Sequence, residues 1–132
     1  MWSHESIVGF LAQETLALAG VSRSGAGYGN RVLHDLSSKG YRVLPVHPWA
    51  RELAGHAAYP SLADLPETVG GLVLVVPPPE THKLVRQAAA LGITRVWMQP
   101  GAESEEAIAY CRDHGLSVIA HRCILVLSST RG

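Results

Sequence analysis

The sequence predicts an α/β fold: one Rossmann-like, three-layer domain over residues 1–132, with a five-stranded parallel sheet in the order 3-2-1-4-5 and helices on both faces. Three observations predict it. Five short apolar runs, Leu16–Ala19, Tyr41–Val46, Leu72–Val76, Val96–Met98 and Val118–Ala120, read as strands buried on both sides. Between them lie segments whose apolar residues recur at helical spacing, an alternation that requires right-handed crossovers between parallel strands. The stretch Thr15–Gly29, TLALAGVSRSGAGYG, is an apolar run that breaks into glycines, hydroxyls and a base before a helix begins. That is the pattern of a strand delivering an anion to a helix start.

Taken in order, residues 4–13 carry Ile7, Val8 and Leu11 at helical spacing after Ser3, a capping residue, and predict a short helix on the sheet edge. Gly20 lets the first strand turn sharply, while Gly25, Gly27 and Gly29 let backbone approach a ligand or adopt positive φ. Val32, Leu33 and Leu36 then line one face of a helix that stops at Gly40. The second strand holds Pro45 near its end, a place for a terminal or edge position. Ala63–Leu65 predicts a brief helical turn. Pro77-Pro78-Pro79 ends the third strand in a rigid loop, and Leu84, Val85, Ala88, Ala89 and Leu91 predict a helix from Glu80 to Gly92. After the fourth strand comes the loop Gln99-Pro100-Gly101. Ala107, Ile108 and Cys111 give the next helix its buried face before Gly115 and the fifth strand.

Ligands of such sheets bind outside the carboxyl ends of the strands, where strand order reverses. That rule gathers Gly20, Val21, Ser22, Arg23, Gly25, Gly27 and Tyr28 on one rim with Val46, His47 and Pro48, with Val76 and the three prolines, and with Gln99 and Gly101. Loop amides and the helix dipole favour an anion there, and Arg23 can pair with a phosphate in a fork geometry. Two phosphate motifs fail. Gly20 to Gly25 has P-loop spacing, but Ala26 and Gly27 stand where Lys and Ser or Thr belong, which argues against a nucleoside triphosphatase. Gly25-Ala26-Gly27-Tyr28-Gly29 is G-x-G-x-G, and the second strand ends in His47 rather than an acid that would clamp a ribose diol, so NAD(P) is disfavoured.

Composition narrows the function further. With 47% hydrophobic and 17% charged residues the chain is globular, and its formal net charge of zero gives no field for nucleic acid or an anionic membrane. No run approaches the ~18 apolar residues of a span, and no basic region precedes an apolar core, so a cytoplasmic protein is expected. Cys111 and Cys123 are too few for a disulfide framework. They also leave opposite edges of the sheet, too far apart to share one metal ion with His114 and His121, so no metal site is expected.

The segments Gly20-Val21-Ser22, Gly40-Tyr41-Arg42-Val43-Leu44-Pro45-Val46-His47-Pro48, Gly55, Tyr59-Pro60-Ser61-Leu62, Trp97-Met98-Gln99-Pro100-Gly101 and Arg122-Cys123 together resemble the small single-domain CoA-binding proteins. These are similar to the nucleotide-binding domain at the N-terminus of the succinyl-CoA synthetase α subunit. The resemblance implies a ligand-binding module for coenzyme A or an acyl-CoA, not a ligase, because the synthetase's phosphohistidine lies in a further domain. It implies a small-molecule CoA ligand, with a homo-oligomer or a ligase-type subunit as the protein partners open to it. It also places His47 and Arg51 near the adenine or 3′-phosphate, Pro77, Pro78 and Pro79 as a wall, and Gln99 and Gly101 by the pyrophosphate or pantetheine. Three positions depart from the family's usual residues: His47 replaces an asparagine, and Gly71 and His121 replace aspartates. The other classes open on the residues are an NAD(P)-dependent oxidoreductase and an interaction module with a vestigial pocket.

Overall fold

The computed structural model describes residues 2–130, so Met1, Arg131 and Gly132 of the expected domain lie outside the described residues. In chain order the elements are α1 (His4–Leu11), β1 (Thr15–Ala19), α2 (Tyr28–Ser38), β2 (Arg42–Val46), β3 (Glu52–Leu53), β4 (His56–Ala57), a 3₁₀ turn (Leu62–Asp64), β5 (Gly71–Leu74), α3 (Pro78–Ala90), β6 (Arg95–Met98), α4 (Glu105–Asp113), β7 (Ser117–Ile119) and α5 (Ile124–Leu127). Five strands form one parallel sheet, and β3 pairs with β4 in a separate antiparallel hairpin. No helix among the described residues is long and apolar enough to cross a membrane.

Side chains alternate across the sheet as its pleat demands. Ala17, Leu44, Leu72, Leu74, Val96, Met98 and Val118 face α3 and α4. Leu16, Leu18, Val43, Val73, Trp97 and Ile119 face the layer of α1, α2 and α5. This is the three-layer architecture expected.

The strand order is not. It runs β2-β1-β5-β6-β7, which in the five-strand count is 2-1-3-4-5 rather than 3-2-1-4-5. Pro45 supplies the reason, since it has no N–H to give to a second neighbour and suits an edge strand. It pairs with Leu18 on one side only, and Tyr59 covers the free edge by donating its N–H to the Pro45 carbonyl at 3.0 Å. Gly71–Leu74, by contrast, is buried throughout and suits the interior. The correction moves the switch point to the crevice between β1 and β5.

A further expectation changes, that of the three prolines, while α1 packs as expected at the sheet edge, over β7, and reaches inward with Phe10, buried edge-on against the Trp97 ring at 5.3 Å. A Cβ at Gly71 would sit 2.6 Å from the Phe10 ring, so the family aspartate is replaced here for packing, at the amino end of β5 and away from the rim. The three prolines do not form a loop. Pro77 caps α3 and Pro78 and Pro79 open it, because a missing N–H and a preset φ are harmless in a first turn.

Candidate functional site

The glycine loop is held by close backbone packing at its base and by one side-chain clasp at its crest. Gly20 has φ +118°, and a Cβ there would lie 2.1 Å from the Val75 carbonyl oxygen. Gly29, in the first turn of α2, would place a Cβ 2.0 Å from the Gly20 carbonyl oxygen. Strand end, turn and helix start are thus in backbone contact. Above them Asn30, buried, accepts the Ser22 N–H at 3.0 Å and donates Nδ2 to the Ser22 carbonyl at 3.0 Å. The Ser22 hydroxyl turns inward to Asn30 Oδ1 and the Ala26 carbonyl, so it shapes the loop. Sequence reasoning passed over Asn30; its position three residues into a helix that follows a glycine loop was the available signal.

Helix α2 has Gly27 as its N-cap residue, with no side-chain cap and no acid in its first turn. Ser3 and Ser104 cap α1 and α4, and Glu80 lies in the first turn of α3. The α2 amides therefore keep their capacity for an anion. Arg23 and Gly25 stand exposed on the crest of the same loop.

Beside the loop, a cavity of about 290 Å³ opens at the carboxyl ends of β1, β2 and β5. Gly20, Val21, Val46, His47, Pro48 and Val76 line it together, joined by two residues of α3: Leu84, expected only as part of a helix face, and Gln87, not expected at all. Its size is near the lower end for ligand pockets and suits a base rather than a whole cofactor. A larger hollow of about 600 Å³ lies at the amino edge beside Gln13, Thr15, Gly70 and Arg95. Helices α1 and α3 end there, and their negative dipole ends disfavour phosphate.

His47 performs the task of an asparagine. Its Nδ1 accepts the N–H groups of Trp49 at 3.1 Å and Ala50 at 3.0 Å, as an Asx side-chain oxygen does. An accepting Nδ1 places the proton of the neutral ring on Nε2, leaving that N–H for a ligand. Trp49 itself is 78% exposed, its ring 5.8 Å from that of His47.

At the other half of the rim, Tyr28, Gln99 and Cys123 converge. Gln99 is wholly buried and accepts the Ile124 N–H on Oε1 at 2.7 Å. Its Nε2 donates to Tyr28 Oη at 3.0 Å and lies 3.5 Å from Cys123 Sγ; Tyr28 Oη is 2.9 Å from the same sulfur. Burial, then the neighbouring sulfur, push the Tyr28 phenol up to about 12. Burial also pushes the Cys123 thiol up, but hydrogen bonds from Tyr28, Gln99 and the Leu125 and Val126 backbone outweigh it, and the net shift is downward. Cys111, on the core face of α4, is raised to about 11 by burial alone.

Some residues expected at the site stand apart. Pro77, Pro78 and Pro79 are exposed at the start of α3 and do not line the cavity. Arg51 is exposed and contributes its carbonyl to the Ala58 N–H. The Gly101 N–H donates to Glu103, whose carboxylate also faces His121 Nδ1 at 3.6 Å. A carboxylate already fills that amide, whereas the amides at the start of α2 carry no side-chain cap.

A doubly wound parallel sheet with a glycine loop packed between β1 and α2 defines a Rossmann-like α/β domain. Its family follows from comparison with known proteins. The chain belongs to the CoA binding domain family, whose model matches residues 14–129. A conserved hypothetical protein from Pyrococcus furiosus is similar in structure, with a TM-score of 0.81 and 42% identity over 86% of this chain and 97% of that one. A hypothetical protein from Pyrococcus horikoshii OT3 superposes with a TM-score of 0.88 at 32% identity, covering 95% of this chain and 89% of the other. An ADP-forming acetate–CoA ligase from Archaeoglobus fulgidus is 24% identical over 88% of this chain, which spans only 18% of the ligase. The chain thus corresponds to about a fifth of the curated relatives it matches.

Proposed function

We propose that the domain binds coenzyme A or an acyl-CoA along the carboxyl edge of the sheet and performs no catalytic step itself. The observation that carries this reading is the continuity of the 290 Å³ cavity with the glycine loop through Gly20 and Val21, which belong to both. In this reading adenine enters the cavity against Val21, Val76 and Leu84, with His47 Nε2–H as a donor. The diphosphate lies over Gly25 and Gly27 at the uncapped start of α2, where Arg23 reaches it. Pantetheine then runs toward Tyr28, Gln99 and Cys123. NAD(P) fits less well because β2 delivers His47, whose Nδ1 is engaged by the loop, where a ribose diol needs a carboxylate.

The test compares ligands at equal concentration. CoA is expected to raise the unfolding temperature more than NAD or ATP, with about 2.7 kcal/mol of stabilisation at a hundred times its Kd. Equal or greater protection by NAD overturns the reading. Arg23→Ala is expected to weaken CoA binding by roughly 1.5–3 kcal/mol, about ten- to a hundredfold in Kd, while leaving stability near wild type. An unchanged Kd in calorimetry removes Arg23 from the phosphate contact.

A further inference from the structure

Cys123 sits among donors whose direction can be worked out from one fixed point. The Ile124 N–H can only donate, so the Gln99 atom it meets is the amide oxygen, and the Gln99 nitrogen faces Tyr28 and Cys123. Tyr28 Oη accepts from that nitrogen and lies 2.9 Å from Cys123 Sγ, where it can direct its own hydrogen to a thiolate. The Leu125 and Val126 backbone groups also favour the charged form of the same sulfur. A neutral thiol can only share its hydrogen with Tyr28 Oη, whereas a thiolate accepts from the phenol and the Gln99 amide together.

The arrangement is built into the fold. Gln99 is wholly buried at the end of β6, and Trp97 Nε1 donates to the Arg122 carbonyl at 3.0 Å, which anchors the turn that presents Cys123. His121, just before it, holds φ at +59°. Tyr28 is the first residue of α2, directly after the glycine loop, so the sulfur borders the phosphate-binding end of the site. Cys123 is itself half-buried and adjoins exposed Arg122.

We propose that Cys123 exchanges with a CoA disulfide, so that the domain carries CoA as a protein mixed disulfide; this rests on the binding reading above. The Cys123 thiolate attacks one sulfur of the CoA disulfide along the S–S axis. A Cys123–CoA disulfide bond forms, the original S–S bond breaks, and the second CoA leaves as a thiolate that takes a proton from water. One disulfide replaces another, so no further oxidant is required. Once its sulfur is neutral, Cys123 no longer holds the Tyr28 hydroxyl, which is free to meet the incoming pantetheine.

The experiment incubates the reduced full chain with CoA disulfide, or with glutathione disulfide for comparison, and follows intact mass and peptide maps. One CoA adduct on Cys123 is expected, reversed by dithiothreitol, absent in Cys123→Ser, and formed at least tenfold faster than the glutathione adduct. Tyr28→Phe, which removes one oxygen, is expected to slow its formation about tenfold. No adduct, an adduct on Cys111, or equal rates with the two disulfides overturns the inference. Calorimetric titration of Cys123→Ser with CoA reads the binding proposal separately. Binding there without an adduct in wild type defeats the exchange alone; absence of binding together with equal rates defeats both.

Discussion

Gly29→Ala is expected to destabilise the domain by about 3 kcal/mol and to abolish CoA binding with it. The added methyl would lie 2.0 Å from the Gly20 carbonyl oxygen, 2.6 Å from its carbon and 3.0 Å from the Val21 nitrogen. These are backbone atoms on the turn that leaves β1, so no side chain can swing aside. The turn cannot retreat either, because Gly20 is itself packed on the Val75 carbonyl. Relief must come from lifting α2 away from the sheet, which pulls Val32, Leu33 and Leu36 from the core and separates Asn30 from Ser22. Gly25→Ala is the control. Its φ of +77° imposes a left-handed strain of about 1–2 kcal/mol, but no heavy atom lies within 4 Å of the new methyl. Urea unfolding with matched m-values compares the two. A Gly29→Ala midpoint no lower than that of Gly25→Ala would show that the close contact can relax.

Much of this geometry could be read in the sequence because local rules produce it. Buried parallel strands are apolar runs, and the helix faces at Val32, Leu33 and Leu36 and at Ala107, Ile108 and Cys111 are buried as their spacing requires. The glycines of the loop were legible for the same reason. Strand order was not, since it depends on which edge of β1 the third strand joins. Pro45 and the unbroken burial of Leu72–Leu74 carry that information: the edge position that suits Pro45 belongs to the second strand, which leaves the third to join β1 in the interior. Phe10 was overlooked because its burial depends on Gly71, 61 positions away, leaving room for its ring. His47 stands where the resemblance expects an asparagine, yet its ring nitrogen accepts two backbone amides as an Asx side-chain oxygen does. The Tyr28, Gln99 and Cys123 cluster joins residues 95 and 71 positions apart, and no spacing rule reaches so far.

Gln99→Leu should lower stability by about 2–3 kcal/mol, although the two side chains are similar in size. Gln99 is wholly buried, and its amide oxygen accepts the Ile124 N–H at 2.7 Å. Leucine leaves that donor unsatisfied at the start of α5 and removes one donor from Tyr28 Oη and one from Cys123 Sγ. A Gln99→Glu replacement separates the two losses. Its carboxyl can still accept the Ile124 N–H, but when ionised it offers only acceptors to the phenol and repels a thiolate. Burial and that repulsion raise the introduced carboxyl's pKa in the folded state above its unfolded value of about 4.3. The folded state then binds more protons than the unfolded one, so the stability of this variant falls as pH rises through the interval between those two values, and the carboxyl's contribution is fully present only below the lower. Wild type and Gln99→Leu carry no such group and should lack that slope. Denaturation midpoints for the three proteins between about pH 4 and 8 check this. A Gln99→Glu variant that parallels wild type throughout would mean that the Gln99 nitrogen contributes nothing as a donor, and the direction assigned to the Tyr28 hydrogen bond would fall with it.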